Sequence, residues 1–267
     1  QEFHKWIAAD IEKGELQGAI IKIANKDEVL YSYVGGTSNL ESKRKLQEDD
    51  YFKIASMTKV ITTVAILQLY EKGKLDLDDK LTKFLPEFKE LKVLHSDKEN
   101  DSLVELKSQV TIRQLLNHTA GFSYGGTKIS KLYAKKEIHF FNPKEANLAE
   151  FIKNLSQMPL VSQPGEKFTY GPSTDILGYL IEVLSNTDLE SYYKEHIFTP
   201  LEMSHTGFNI HRKKMEKLVS SYKMDKEGKL KFINKPEDFD KNTPAKVFMG
   251  GSGLITTAGD YLKFSQM

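Results

Sequence analysis

Apolar and polar positions repeat with two different periods along this chain, and the two periods predict helices and strands in turn. Phe3, Trp6, Ile7 and Ile11 recur at helical spacing and stop at Gly14, which predicts a surface helix. Gly18–Ala24 and Glu28–Val34 are rich in β-branched and aromatic residues, are joined by Asn25-Lys26-Asp27 and are closed by Gly35-Gly36. They predict a hairpin, and since two strands alone are marginal in water, further strands must join it. Ile54 to Tyr70 fits neither pattern: from Val60 onward it is apolar on nearly every face, and a helix with no polar side is predicted to lie inside the protein.

Beyond this helix, Leu75 to Phe88 predicts a turn and a short amphipathic helix stopped near Pro86, and residues 89–110 are charged, with Asp97 to Asp101 as a solvated loop. Thr111 to Asn117 predicts a short helix from which His118-Thr119-Ala120-Gly121 turns out. Ser123 to Asn147 is Gly- and Lys-rich and weakly periodic, a long loop suited to a lid or to a surface insertion. Leu148 to Leu155 predicts a helix, and Pro159 to Lys167 an extended segment. Pro172-Ser173 opens a helix marked by Ile176, Leu177, Leu180, Ile181 and Leu184. Leu189 to Phe198 continues as helix up to Pro200. Short β-like pieces follow at 206–210, 218–224 and 229–233, and Gly250-Gly251-Ser252-Gly253, which permits close backbone approach, precedes a helix start at Thr257.

Composition removes several function classes. Lysine plus arginine number 38 against 37 acids, a net charge of +1, so no basic field exists to hold nucleic acid. No apolar run reaches the roughly 18–20 residues of a membrane span, which predicts a soluble chain. Cysteine is absent, and the 7 histidines form no His-Glu-x-x-His pattern, so no metal and no cofactor are expected. With 267 residues the chain can bury a substantial core as one large domain or two closely packed lobes. It begins at Gln1 rather than methionine, which fits a removed leader and a periplasmic or secreted location, with a cytoplasmic one still open.

The candidate chemistry lies at the start of the apolar helix. Ser56 and Lys59 are three residues apart, a spacing that brings hydroxyl and amine to one helix face. A serine hydroxyl becomes a nucleophile when a base takes its proton, and a desolvated lysine can be that base. Helix-start N–H groups, including that of Ser56, can face a developing oxyanion. Ser-x-x-Lys occurs at Ser42/Lys45, Ser56/Lys59, Ser191/Lys194 and Ser220/Lys223, but only Lys59 opens an apolar helix. An N-cap serine beside a snorkelling lysine accounts for the same two residues without chemistry.

Three longer stretches carry a resemblance. They are Tyr51 to Lys59, Leu67 to Asp79 with Phe84-Leu85-Pro86-Glu87-Phe88, and Thr111 to Phe122; Tyr170 with its following helix and Gly250 to Tyr261 extend it. In this order they resemble the serine β-lactamase-like superfamily, most closely class C β-lactamases, family VIII carboxylesterases and related penicillin-binding or D-peptidase enzymes. The resemblance implies catalytic roles for Ser56 as the acylated nucleophile, Lys59 as its partner and Tyr170 as the catalytic tyrosine on a loop before a helix. It implies an α/β (α+β) fold, an antiparallel sheet flanked by helices plus a mostly helical lobe. Residues 1–267 are then one catalytic domain: an α/β lobe with the nucleophile helix at 1–75, a helical lobe at 76–205 and a return segment at 206–267.

The implied activity is that of a serine hydrolase forming an acyl-enzyme on a small-molecule ester, β-lactam or peptide. The alternative is a non-hydrolytic penicillin-binding or sensor protein, or a D-peptidase, of the same fold. Two departures bear on this. Class C β-lactamases carry asparagine two residues after the tyrosine, where this chain has Pro172, which offers no side-chain donor or acceptor and favours esters over β-lactams. The family's third motif, a Lys-Thr-Gly, His-Thr-Gly or Trp/Gly-rich variant, and its remaining central strands would follow Met267, so the fold is expected to be C-terminally incomplete. Loss of one oxyanion donor with that motif typically costs about 10²–10³ in rate.

Overall fold

A computed structural model of the chain describes residues 2–96, 101–126, 128–141, 143–234 and 245–267. In chain order its elements are α1 (Glu2–Glu12), β1 (Gly18–Ala24), β2 (Val29–Asn39), β3 (Arg44–Lys45), β4 (Phe52–Lys53) and α2 (Thr58–Glu71). There follow β5 (Lys92–Ser96), β6 (Asp101–Glu105), α3 (Ile112–Leu116), α4 (Ile129–Lys135), α5 (Leu148–Ser156), α6 (Ser173–Ser185) and α7 (Leu189–Tyr193). The last are β7 (Ser221–Met224), β8 (Leu230–Asn234), β9 (Ile255–Thr256) and α8 (Ala258–Ser265). The fold is mixed, with antiparallel sheets and several helices, as the resemblance implies.

The described residues fall into two compact units, one made of 2–54, 197–245 and 254–267 and the other of 55–196 and 246–253. The sequence boundary at 75 differs from this division, which assigns α2 to the helical unit. In the first unit β1, β2 and β3 form an antiparallel sheet in register Gly18↔Gly36 and Ile20↔Val34, with an irregularity between Ile23 and Ala24. Helix α1 packs on β2 and α8 on β1, so the sheet is flanked by helices. Strand β4 pairs with β9, and Tyr51, Leu218 and Ile255 form a small apolar core beside them. Asp50 is fully buried and compensated: Arg44 donates to it at 3.0 Å and the Gln47 amide at 2.8 Å.

Helix α6 is the hub of the second unit. Its apolar residues Ile176, Leu177, Leu180 and Ile181 are buried, and α2, α3, α5 and α7 pack against it. Thr111 caps α3 with a full capping box: its side chain accepts from the Gln114 amide while Gln114 returns to the Thr111 amide. Asn147 and Asp188 cap α5 and α7 in the simpler way, each accepting from the amide three residues on.

Four local expectations are corrected. Helix α2 buries Ile61, Thr62, Ala65, Ile66 and Leu69 but leaves Val60, Leu67 and Tyr70 exposed, Val60 by 50%. A helix apolar all round has no periodic signal to select its inner face, so packing selects it. Strands β5 and β6 pair antiparallel, with β5 tied to the chain at Leu160, where the sequence shows mainly charge. The expected solvated loop at 97–101 lies, but for Asp101, outside the described residues. Residues 75–88 hold two 3-10 turns, Leu81–Lys83 and Pro86–Phe88, in place of a helix, and the long 123–147 stretch contains α4.

Candidate active site

A 3-10 turn over Ala55–Met57 leads directly into α2, and Ser56 sits on that turn. Ala55 has φ 44, a left-handed conformation that a residue with a Cβ adopts at a cost of order 1–3 kcal/mol. The second residue of α2, half-buried Lys59, directs its amine at three acceptors: the Gly251 carbonyl at 2.6 Å, Ser56 Oγ at 3.4 Å and the Tyr124 hydroxyl at 3.4 Å. Three acceptors complement the three donors of an ammonium.

Tyr170 reaches the same place from the loop before α6. Its hydroxyl is 2.7 Å from Ser56 Oγ, and the Lys59 amine lies 4.9 Å from its ring centroid. The loop is held by backbone contact with the turn after α3: the Thr169 amide donates to the His118 carbonyl at 2.7 Å, and His118 takes φ 58 to present it. A side chain at Gly171 would run into the Phe122 carbonyl, so glycine is what lets the two segments lie this close. Ser56 and Lys59 are thus joined by Tyr170, 114 residues away from Ser56 in sequence.

Three further residues complete the cluster. Tyr124 is positioned by an aromatic group, its ring 5.0 Å from Phe140, which lies 5.0 Å from Tyr133 and 5.9 Å from Phe151. Its hydroxyl donates to Asp175 Oδ2 at 3.2 Å. Asp175, fully buried on the first turn of α6, also accepts from the Gly251 amide at 2.7 Å. The neighbouring Gly250 carbonyl accepts from Thr62 at 2.6 Å. A Cβ at Gly251 would come within 2.8–2.9 Å of both Asp175 oxygens and 2.9 Å of the Tyr124 hydroxyl. The two glycines are therefore clamped by α2 and α6, with the Gly251 carbonyl aimed at Lys59.

The electrostatics separate the two tyrosines. Burial pushes Tyr124 well above the usual phenol range, and the Asp175 charge adds to this, so it stays protonated as a donor. At Tyr170 burial also acts upward but is outweighed by hydrogen bonding to Ser56 and Lys59 and by the lysine's charge, so its phenol is more acidic than usual. Burial raises Asp175 to about 6 against the pull of the Gly251 amide, the Lys59 charge and the Tyr124 hydroxyl. His118 is held below its usual range by burial and then by the Lys59 charge.

Sequence reasoning missed Tyr124 and Asp175. Tyr124 lies in the weakly periodic stretch, where nothing distinguishes it. Asp175 sits where a helix-start acid is ordinary, and its only signal is that it directly precedes the buried run Ile176-Leu177.

Ser56 is thus bonded to an acidified Tyr170, beside Lys59 one helical turn on. The family model described as Beta-lactamase matches residues 3–267, and the chain belongs to that family. It is similar to "Acyltransferase calJ" of Penicillium decumbens, 34% identical over 246 residues, 87% of this chain and 56% of that protein. It is also similar to "Esterase EstB" of Burkholderia gladioli, 30% identical over 203 residues, 74% of this chain and 48% of that protein. Among solved structures, a simvastatin synthase (LovD6 mutant) from Aspergillus terreus superposes with TM-score 0.81 at 26% identity, over 98% of this chain and 64% of that one. "EstCE1, a hydrolase with promiscuous acyltransferase activity" shares the fold at TM-score 0.83 and 24% identity, over 96% and 68%. The chain spans about half to two thirds of the length of the curated relatives it matches. Among the described residues no helix is long and apolar enough to cross a membrane.

Proposed function

We propose that the protein is a serine acyl-transferring enzyme, most simply a carboxylesterase, with Ser56 as nucleophile, Tyr170 as base and Lys59 as the cation that holds both. The observation that carries this reading is the 2.7 Å contact between Ser56 Oγ and a Tyr170 phenol made acidic by its surroundings. Ionised Tyr170 takes the Ser56 proton as Oγ bonds to the ester carbonyl carbon. As the tetrahedral intermediate collapses, the carbon–oxygen bond to the alcohol breaks and Tyr170 returns the proton to the departing alkoxide. Water, or a second alcohol, then attacks the acyl-enzyme with Tyr170 as base, and Ser56 leaves as a hydroxyl. Likeness to an esterase and to an acyltransferase supports both fates of the acyl group. Lys59, whose amine reaches Ser56 Oγ and lies over the Tyr170 ring, steadies negative charge on Tyr170. Pro172, which stands where class C β-lactamases have an asparagine amide, favours esters over β-lactams.

The test is intact mass after exposure to a fluorophosphonate, beside turnover of simple esters and of a penicillin. Wild type should gain one adduct and release acid or transfer acyl from esters faster than from penicillin, and Ser56→Ala should gain none. An unlabelled wild type, or equal labelling of Ser56→Ala, sinks the proposal.

A further inference from the structure

Around the reactive hydroxyls the rings form an unbroken series. Phe141 lies 6.0 Å from Tyr124, Tyr124 5.6 Å from Tyr170, Tyr170 5.0 Å from His118, and His118 5.8 Å from Phe168, centroid to centroid. Tyr170, at the middle of the series, is the ring bonded to Ser56. Both ends are bare, Phe141 81% exposed and Phe168 66%, while Tyr124 between them is half-buried. Isolated exposed apolar residues are ordinary, but two phenylalanines at opposite ends of one ring series, with a nucleophile at its centre, are not scattered. We propose that this strip is the substrate-binding surface, and that it takes an uncharged ester carrying a ring-sized apolar group on each side of its carbonyl.

The specification as an uncharged ester follows from the charges nearby. Lys59 directs its amine at three acceptors and Asp175 is fully buried on its own two donors, so neither offers a free partner to a substrate carboxylate. The rings add none: Tyr124 is kept protonated and His118 is kept neutral at neutral pH, each chiefly by burial. A substrate carboxylate laid along the strip would lose water without gaining a partner. Apolar rings gain burial against Phe141 and Phe168 and edge or stacked contact with rings already in place. The inference rests on Ser56 as the reacting group only for the position of the carbonyl; the binding surface stands on the ring series itself.

The experiment uses benzyl benzoate, ethyl acetate and monobenzyl succinate as probes with wild type, Phe141→Ala and Phe168→Ala. Both side chains are exposed, so their loss does not empty the core. Each substitution should lower kcat/KM for benzyl benzoate about tenfold, chiefly through KM, and change ethyl acetate less than twofold. Tenfold corresponds to about 1.4 kcal/mol, the burial of roughly 55 Å² of ring. Benzyl benzoate should also be preferred over monobenzyl succinate. The same substitutions in a Ser56→Ala background, read by calorimetric titration with benzyl benzoate, should raise Kd about tenfold without any turnover. Equal effects on benzyl benzoate and ethyl acetate, an unchanged Kd, or preference for the succinate overturns the strip. Weakened binding in a protein whose Ser56 takes no fluorophosphonate leaves the strip standing and sinks the nucleophile reading instead.

Discussion

Replacing Asp175 with asparagine separates the stability of the helical unit from its chemistry. The carboxyl is fully buried, and burial raises it from 3.8 to about 6. It therefore binds its proton more tightly in the folded chain than in the unfolded one. Its contribution to stability is complete below pH 3.8 and is lost as pH rises through about 6. At about 1.36 kcal/mol per unit, the ionised form costs the folded protein about 3 kcal/mol at pH 8 relative to the protonated form. Asparagine mimics the protonated form in size and keeps an oxygen for the Gly251 amide, so Asp175→Asn should be more stable than wild type at pH 8 by up to that amount. For a chain of this size that is roughly 6–12 °C in Tm. The advantage should shrink between pH 6 and pH 4 and be gone below. Activity should show the opposite preference. The Asp175 charge raises Tyr170, so its removal should move the ascending limb of the kcat/KM–pH profile to lower pH and leave a weaker base. Thermal melts of both proteins from pH 4 to 8, with pH–rate profiles on one ester, make the test. A variant that melts at or below the wild-type temperature at pH 8 refutes the claim that burial disfavours this carboxylate.

Tyr170→Phe removes the hydroxyl 2.7 Å from Ser56 from a partly exposed side chain; kcat should fall about 10²–10⁴-fold with Tm within a degree or two, as steady-state kinetics and a melt will show. Gly251→Ala drives a Cβ to 2.8–2.9 Å from Asp175 and Tyr124, against roughly 3.4 Å for ordinary contact. It should destabilise the protein by about 1–3 kcal/mol and, by shifting the carbonyl that holds Lys59, lower kcat at least tenfold, measured by urea unfolding and turnover. Arg44→Ala leaves the fully buried Asp50, among the described residues, with its Gln47 amide and should cost about 3–5 kcal/mol in urea unfolding, with fluorophosphonate labelling of surviving native protein unchanged.

Legibility in the sequence tracks whether a feature is local. Helix starts at Thr111 and Thr257 and strand β1 depend on a few consecutive residues and are predicted nearly to the residue, whereas β2 runs on through Gly35-Gly36 to Asn39. Ser56 and Lys59 share one helix turn, so their proximity follows from spacing alone. Tyr170 could be named only through resemblance, since its meeting with Ser56 depends on the His118–Thr169 hydrogen bond and on the bare backbone of Gly171. The glycine run at 250–253 was readable as close backbone approach, but not its contact with Asp175. The exposed side of α2 and the β5–β6 pairing were hidden for a related reason. In each, tertiary neighbours select a face or a pairing that the hydrophobic pattern leaves undecided.

The amine at position 59 finds its shortest partner on a glycine 192 residues later. During synthesis at about 5–20 residues per second, the ribosome needs roughly 10–40 s to travel from one to the other. Throughout that interval the nascent helix carries its hydroxyl and amine without the carbonyl that holds them in place. A message cut short before the codon for Gly251 therefore yields both side chains without the carbonyl that holds the amine most closely.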